Sequence, residues 1–221
     1  MNFNDVKTII IPEGEAVSVK CGGVLLWEKQ TIPREYQKLD YIESTGTQYI
    51  DTGVKLTGNH SVEIDYQLTQ QKQYRTGLFG GLYSSQHTRY GSLLSPSNAG
   101  LEHGYGLSNT YYQQGIPDID RHMLKQVKNE VYFDGVLLYT FESANFSVDK
   151  TAYLGNFDFT NYKPALAKYY ASRWWDGDML VRDFVPCYRK SDGKAGMYDT
   201  VTDTFFTNAG TGEFKYNMEL A

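Results

Sequence analysis

Residues 35–53 read EYQKLDYIESTGTQYIDTG, and this stretch says more about the fold than any other part of the 221-residue chain. A second informative stretch, LVRDFVPCYRKSDG, occupies residues 180–193 and continues through GMYD at 196–199 to GTGEF at 210–214. Together they bracket residues 35–215, which is most of the chain. A fold inferred from both stretches therefore applies to that whole region.

Between the two stretches, the chain reads as short strands separated by turns. Residues 61–68 alternate with period two, which places four apolar side chains on one strand face: Val62, Ile64, Tyr66 and Leu68. Asp134-Gly135 lies between two apolar runs and predicts a two-residue hairpin turn, and residues 176–178 predict another. Strands with Gly and Asp turns and no helix-period segment predict a two-sheet sandwich.

The two bracketing stretches resemble concanavalin A-like (laminin G-like) jelly-roll domains of phage and prophage structural proteins and of gut-bacterial surface proteins. The resemblance implies an all-β, two-sheet antiparallel jelly-roll sandwich over residues 35–215. Terminal strands commonly pair in this family, which would place residues 41–51 near residues 201–214. The resemblance does not identify a ligand, because this fold carries lectins, glycosidases and structural modules alike.

Residues 1–30 are predicted to form a short N-terminal β-meander, followed by a linker. Three short strands bury little by themselves, so their apolar side chains need a partner surface. That partner is either the jelly roll of the same chain or a neighbouring subunit or particle protein. Short β-rich leaders in the phage proteins that the chain resembles favour an assembly anchor, with these candidate contact residues: Ile9, Ile10, Ile11, Leu25, Leu26 and Trp27.

Composition excludes several classes of function. The chain has 21 Lys and Arg against 26 Asp and Glu, and a formal charge of −5 disfavours a nucleic-acid partner. Two cysteines make no disulfide framework, and no signal peptide or membrane-spanning apolar run is recognisable. These features favour a protein assembled in the cytoplasm and released by lysis, as virion proteins are. A chain trimmed of its signal peptide would fit as well.

One short motif bears on catalysis. Laminarinase-type glycoside hydrolases share the implied fold and place Glu, Asp and Glu at alternate positions of one strand, as nucleophile, orienting residue and acid/base. Glu63 and Asp65 match this pattern, but Gln67 stands at the acid/base position. An amide cannot protonate a leaving group or activate water. We therefore expect a polar outer strand face and no enzyme activity.

A Tyr-rich region between residues 69 and 122 is the candidate ligand-binding surface. Aromatic rings stack on sugars, while Arg and His donate hydrogen bonds to hydroxyls and carboxylates. An ordinary Tyr-rich β surface or a subunit contact is the alternative interpretation. The candidate glycan-binding residues are Tyr74, Arg75, His87, Arg89, Tyr90, His103, Tyr105, Tyr111 and Tyr112. No metal or cofactor is expected. The Asp118–Asp120 and Asp176–Asp178 pairs are typical of turns, and the four histidines lack the spacing of metal ligands.

The leading functional hypothesis is a phage virion component, such as a tail, baseplate or head-fibre protein, whose jelly roll contacts host-surface glycans. Such proteins are often homotrimers, because an attachment site repeats one contact around an axis. The N-terminal segment would then contact other virion proteins, and neither nucleic acid nor a membrane is an expected partner. A bacterial carbohydrate-binding module, extracellular or at the cell surface, is the main alternative. A laminarinase-type hydrolase is the least favoured.

Overall fold

A computed structural model describes residues 32–71, 75–82, 88–95, 100–107, 110–115, 118–157 and 162–218, together with the backbone of three strands nearer the N-terminus. The chain divides into two compact units, residues 1–33 and residues 34–221.

The N-terminal unit contains the predicted meander. Its strands β1 (Val6–Thr8), β2 (Ser18–Cys21) and β3 (Val24–Glu28) pair antiparallel in the order β1-β2-β3. Leu25, Leu26 and Trp27 lie in β3, of which only the backbone is described. Ile9, Ile10 and Ile11 lie outside the described residues, so their role in assembly stays a prediction.

In its described residues, the second unit has no helix, and turns and loops join its strands. In chain order these are β4 (Tyr36–Thr45), β5 (Ile50–Asp51), β6 (His60–Leu68), β7 (Thr76–Leu82), β8 (Thr88–Ser95), β9 (Gly100–Leu107), β10 (Thr110–Gln114), β11 (Arg121–Val127), β12 (Glu130–Phe133), β13 (Val136–Thr140), β14 (Tyr153–Leu154), β15 (Lys163–Pro164), β16 (Leu166–Asp176), β17 (Met179–Arg189), β18 (Ala195–Asp199), β19 (Thr204–Thr207) and β20 (Lys215–Met218).

These strands form two sheets that pack face to face, which confirms the predicted two-sheet antiparallel jelly-roll sandwich. The larger sheet runs β13-β12-β11-β6-β16-β4-β17-β18-β19, with β20 added beside β4. The smaller sheet runs β10-β9-β8-β7-β14-β5. The short β15 joins β7 of the smaller sheet in parallel.

The core lies between the inner faces of the two sheets. The predicted face of β6 is buried: Val62, Ile64 and Tyr66 have no exposed surface, and Leu68 is 1% exposed. Phe79 of the smaller sheet packs edge-on against Trp174 of the larger sheet, with ring centroids 6.2 Å apart. Each such buried side chain stabilises the fold by about 1.5–3 kcal/mol.

Side-chain hydrogen bonds shape the turn inside the fold-deciding stretch. The Gln48 side-chain oxygen accepts a hydrogen bond from the Thr45 backbone N–H at 2.7 Å, and the Ser44 hydroxyl donates to the Gln48 carbonyl at 2.9 Å. Gly46 adopts a positive φ of 98°, a conformation that strongly favours glycine. The Ser-Thr-Gly-Thr-Gln sequence is therefore a turn held by its own side chains.

The two ends of the second unit meet, as the resemblance implied. The Thr211 N–H donates to the Thr47 carbonyl at 3.0 Å, and the Ala209 N–H donates to the Tyr49 carbonyl at 2.9 Å. Just beyond this contact, β20 pairs with β4 in antiparallel register, with Lys215 opposite Glu43. Both bracketing stretches therefore take part in one contact, although they are far apart in sequence.

Both predicted hairpins are present. Phe133 pairs with Val136 across Asp134 and Gly135, whose φ angles of 49° and 78° give the turn its left-handed conformation. Asp176 pairs with Met179 across the second turn.

Candidate functional site

The outer face of the larger sheet carries a network of ion pairs and aromatic rings. Side chains of five strands meet there because alternate residues of β11, β6, β16, β4 and β17 point away from the core. We call this surface the charged–aromatic strip and define it by these residues: Tyr41, Glu63, Asp65, Gln67, Arg121, Lys125, Lys168, Tyr170, Arg173, Trp175 and Asp183.

Cross-strand ion pairs organise the strip. Arg121 binds Asp65 through two hydrogen bonds, Nε to Oδ1 at 2.7 Å and a terminal nitrogen to Oδ2 at 2.6 Å. This contact raises the pKa of the Arg121 guanidinium. Lys125 lies 3.1 Å from a carboxylate oxygen of Glu63. One strand neighbour of β6, β11, thus supplies a cation to each of these two outward carboxylates.

Arg173 extends this network towards the other half of the sheet. Its guanidinium lies 3.5 Å from Glu63 and 3.2 Å from Asp183 of β17. Each carboxylate of the β6 row is therefore paired with at least one cation. The strip presents pre-positioned charged groups with little net charge.

Aromatic rings lie beside these charged groups. The Arg121 guanidinium carbon is 3.8 Å from the ring centroid of Tyr170, and the Lys168 amino group is 4.4 Å from that of Tyr41. Lys125 is 5.2 Å from the Trp175 ring, and Tyr41 packs edge-on against Tyr170. Cation–π contacts of this kind hold flat rings in fixed orientations. All three rings are half-buried, so part of each remains open to a ligand.

Gln67, at the position that the hydrolase pattern assigns to the acid/base, is held by two hydrogen bonds. Its amide nitrogen donates to the Ile119 carbonyl at 2.7 Å, and the Tyr170 hydroxyl donates to its amide oxygen at 2.7 Å. The side chain is therefore a fixed neutral bridge between β6, β16 and the segment before β11. Glu63 and Asp65 point to the same face as Gln67, as the alternation predicted.

The candidate glycan-binding residues do not form one surface. Tyr90, His103 and Tyr105 are at most 1% exposed and lie in the core, where a surface glycan cannot contact their rings. This corrects the sequence interpretation of these three residues. The three aromatic rings occupy inward-facing positions of β8 and β9. The sequence of these strands does not alternate regularly between apolar and polar residues, so periodicity could not show which side chains face the core.

The buried polar atoms of these core residues have protein partners. The Tyr90 hydroxyl donates to the His60 carbonyl at 2.8 Å, and the Tyr105 hydroxyl lies 3.0 Å from the Gly58 carbonyl. His103 lies 2.7 Å from the Ser92 hydroxyl, and burial lowers its pKa to about 4. Their hydrogen-bonding groups are thus directed at the protein itself.

The other candidates occupy three different surroundings. Arg89 pairs with Glu102 on the outer side of the smaller sheet, and Tyr112 is 41% exposed opposite Glu102. Tyr111 stacks on Tyr139 of the larger sheet. Arg75 is exposed just before β7. Tyr74 and His87 lie outside the described residues.

Sequence reasoning missed most of the charged–aromatic strip. It identified the β6 row but not Arg121, Lys125, Tyr170 or Arg173, because their proximity depends on which strands become neighbours. One signal was available: Trp174 and Trp175 are adjacent in a strand, so one of them must face outward. Trp174 is fully buried and Trp175 lies on the strip.

In comparisons with known proteins, no protein-family model matches the chain and no curated protein matches it. Among the described residues, no three His, Cys, Asp or Glu side chains are grouped to hold a metal ion. The same residues contain no helix that is long and apolar enough to span a bilayer.

Proposed function

We propose that the protein is a structural component of a phage particle whose jelly roll contacts host-surface glycans through the charged–aromatic strip. The observation that carries the glycan-binding part is the strip itself, in which half-buried rings lie beside hydrogen-bonding groups held by cross-strand ion pairs. Sugars offer apolar ring faces and hydroxyls, and this surface offers complementary chemistry to both.

The charge arrangement favours a neutral glycan. Asp65 binds Arg121, and Glu63 binds both Lys125 and Arg173, so no charge in this row is left without a partner. A neutral hydroxyl can hydrogen-bond to either member of such a pair without displacing the other. A carboxylated sugar would instead compete with Asp65 and Glu63 for their cations.

The proposed role is binding rather than hydrolysis. Support comes from Gln67, whose amide replaces the acid/base of the hydrolase pattern and is bridged to Ile119 and Tyr170. A retaining glycosidase needs two carboxyl groups in acid/base and nucleophile roles. The row offers a carboxylate at the nucleophile position and none at the acid/base position.

A glycan array followed by titration tests the binding role. We expect saturable binding of a neutral oligosaccharide that quenches or shifts Trp175 fluorescence, and at least tenfold weaker binding in Tyr170→Ala and Trp175→Ala. Tyr112→Ala, on the other sheet, is the matched control and keeps native affinity. Unchanged binding in both strip variants would contradict the assignment of the site.

The particle role needs a separate test. Electron microscopy and mass spectrometry of purified lysate particles should find the chain as an integral component, and light scattering should show a homo-oligomer, with a trimer expected. A strictly monomeric protein absent from particles would favour a free carbohydrate-binding module instead. Neither outcome affects the glycan-binding test, because that test is made on the purified protein.

A further inference from the structure

A second polar depression is lined by residues that do not belong to the charged–aromatic strip. Its volume is about 310 Å³, which falls in the usual range for small-molecule sites. The walls come from the segment before β6, the turn between β11 and β12, and the segment after β13. Its lining residues are Thr57, Gly58, Asn59, Tyr105, Lys128, Asn129, Ser143, Ala144 and Asn145.

Close backbone contacts fix the shape of this depression. The Gly58 N–H donates to the Phe146 carbonyl at 3.2 Å, and the Tyr105 hydroxyl lies within 3.3 Å of both the Gly58 and Ala144 carbonyls. A Cβ atom at Gly58 would lie 2.2 Å from the Ala144 oxygen, so only glycine allows this approach. The two walls are thus joined before any ligand arrives, which lowers the entropic cost of binding.

Two amides of the lining use their N–H groups within the protein. Asn59 donates to Asp176 at 3.0 Å, and Asn129 donates to the Phe141 carbonyl at 2.7 Å. Their side-chain carbonyl oxygens accept no hydrogen bond from the described residues. These oxygens are therefore oriented acceptors for the hydroxyl groups of a ligand.

Three further groups supply donors. Lys128, Ser143 and Asn145 are exposed, and their side chains form no hydrogen bond or ion pair with any described residue. The lining contains one cation and no carboxylate. In the charged–aromatic strip the β6 carboxylates pair with Arg121, Lys125 and Arg173, whereas the lining of this depression contains no carboxylate that could pair with Lys128.

We propose that this depression is a second ligand site that binds a sugar residue carrying a carboxylate. Lys128 would pair with the carboxylate, while the amides of Asn59, Asn129 and Asn145 and the hydroxyl of Ser143 would bind the ring hydroxyls. A simple anion would use only Lys128, and a neutral sugar would leave the Lys128 charge without a partner. The proposal uses none of the contacts in the charged–aromatic strip and does not depend on them.

The test is a titration of the full-length protein with glucuronate, followed by backbone amide NMR, beside matched titrations with glucose and with acetate. We expect saturable shifts confined to residues 57–59, 128–129 and 143–145. Half-saturation should need at least fivefold less glucuronate than either control compound, and 0.5 M salt should weaken the binding because the ion pair is exposed. Equal responses to acetate, equal responses to glucose, or no localised shifts would each overturn the proposal.

Two variants locate the site. Lys128→Gln should weaken glucuronate binding at least fivefold while leaving any weak glucose response unchanged, and Asn145→Ala should weaken binding of both. Lys215→Gln, which removes a lysine of β20 outside the lining, is the charge-matched control. A native-like spectrum verifies that each variant is folded. Native affinity in both Lys128→Gln and Asn145→Ala would overturn the proposal, as would equal losses in Lys128→Gln and Lys215→Gln.

Discussion

Tyr111 of the smaller sheet and Tyr139 of the larger sheet stack face to face, with ring centroids 4.4 Å apart and planes 7° from parallel. These two rings join edge strands of opposite sheets, β10 and β13, and so cover the core at that side of the sandwich. Tyr111 was a candidate ligand residue, and the stack gives its ring a structural partner.

We expect the stack to stabilise the fold measurably. Tyr111→Ala and Tyr139→Ala should each lower the free energy of unfolding, and the double variant should lose less than the sum of the two. The difference should be about 0.5–1.5 kcal/mol, which is typical of aromatic pairs. Urea denaturation of the four proteins measures this coupling energy. Strict additivity would mean that the rings do not interact in solution.

The adjacent tryptophans should differ sharply in their contribution to stability. Trp174 is fully buried and donates its indole N–H to the Ser172 hydroxyl at 2.7 Å, whereas Trp175 lies half-buried on the outer face. Trp174→Ala should cost about 3–5 kcal/mol of unfolding free energy, and Trp175→Ala about 1 kcal/mol. Denaturant unfolding of both variants compares them directly, and similar losses would contradict the face assignment.

His122 should have a higher pKa than His60 and His103. His103 is buried, which lowers its pKa to about 4, while hydrogen bonds to Asp118 and Asp134 raise the pKa of His122 despite partial burial. Burial also lowers the pKa of His60. NMR titration should therefore find His122 protonating at the highest pH of the three. A normal titration of His103, near pH 6.5, would contradict its burial.

These shifts have opposite consequences for stability. Because His103 has a lowered pKa in the folded state, its contribution is complete above about pH 6.5 and is lost as the pH falls towards 4, by roughly 3 kcal/mol. His122 has a raised pKa, so its contribution is present at low pH and is lost as the pH rises through that pKa. His103→Gln should flatten the acid side of the stability profile, and His122→Gln should flatten the neutral side.

Replacing Glu63 should affect neither folding nor any hydrolytic rate. Its side chain is 17% exposed and pairs with Lys125 and Arg173, which are 37% and 51% exposed, and such partly exposed pairs contribute about 1 kcal/mol or less. We expect Glu63→Ala to unfold cooperatively with a small loss of stability, and reducing-sugar assays on β-glucans to give no signal with either protein. Sugar release by the native protein that disappears in Glu63→Ala would show that the protein is a hydrolase.

Removing the N-terminal unit tests the anchor hypothesis. The division of the chain at residues 33 and 34 leads us to expect that a fragment starting at Arg34 folds cooperatively. If residues 1–30 are an anchor, this fragment should be monomeric in light scattering, while the full chain assembles. Loss of the cooperative transition in the fragment would mean that the meander belongs to the core.

The sequence alone determined the class of fold and several of its details. Period-two alternation identified the buried face of β6, and the Asp134-Gly135 pair identified a hairpin. Each of these signals is local, because strand alternation and turn geometry depend on a few consecutive residues. The pairing of the chain ends was available only through the family resemblance.

Only the tertiary structure decided which side chains share a surface. Tyr90, His103 and Tyr105 looked like ligand residues by composition, yet they face the core, whereas Arg121 and Tyr170 meet beside Asp65 although they are about 50 residues apart in sequence. The physical reason is that strand order and register are set by packing of the whole sandwich. A register change of one residue would turn every side chain of a strand to the other face.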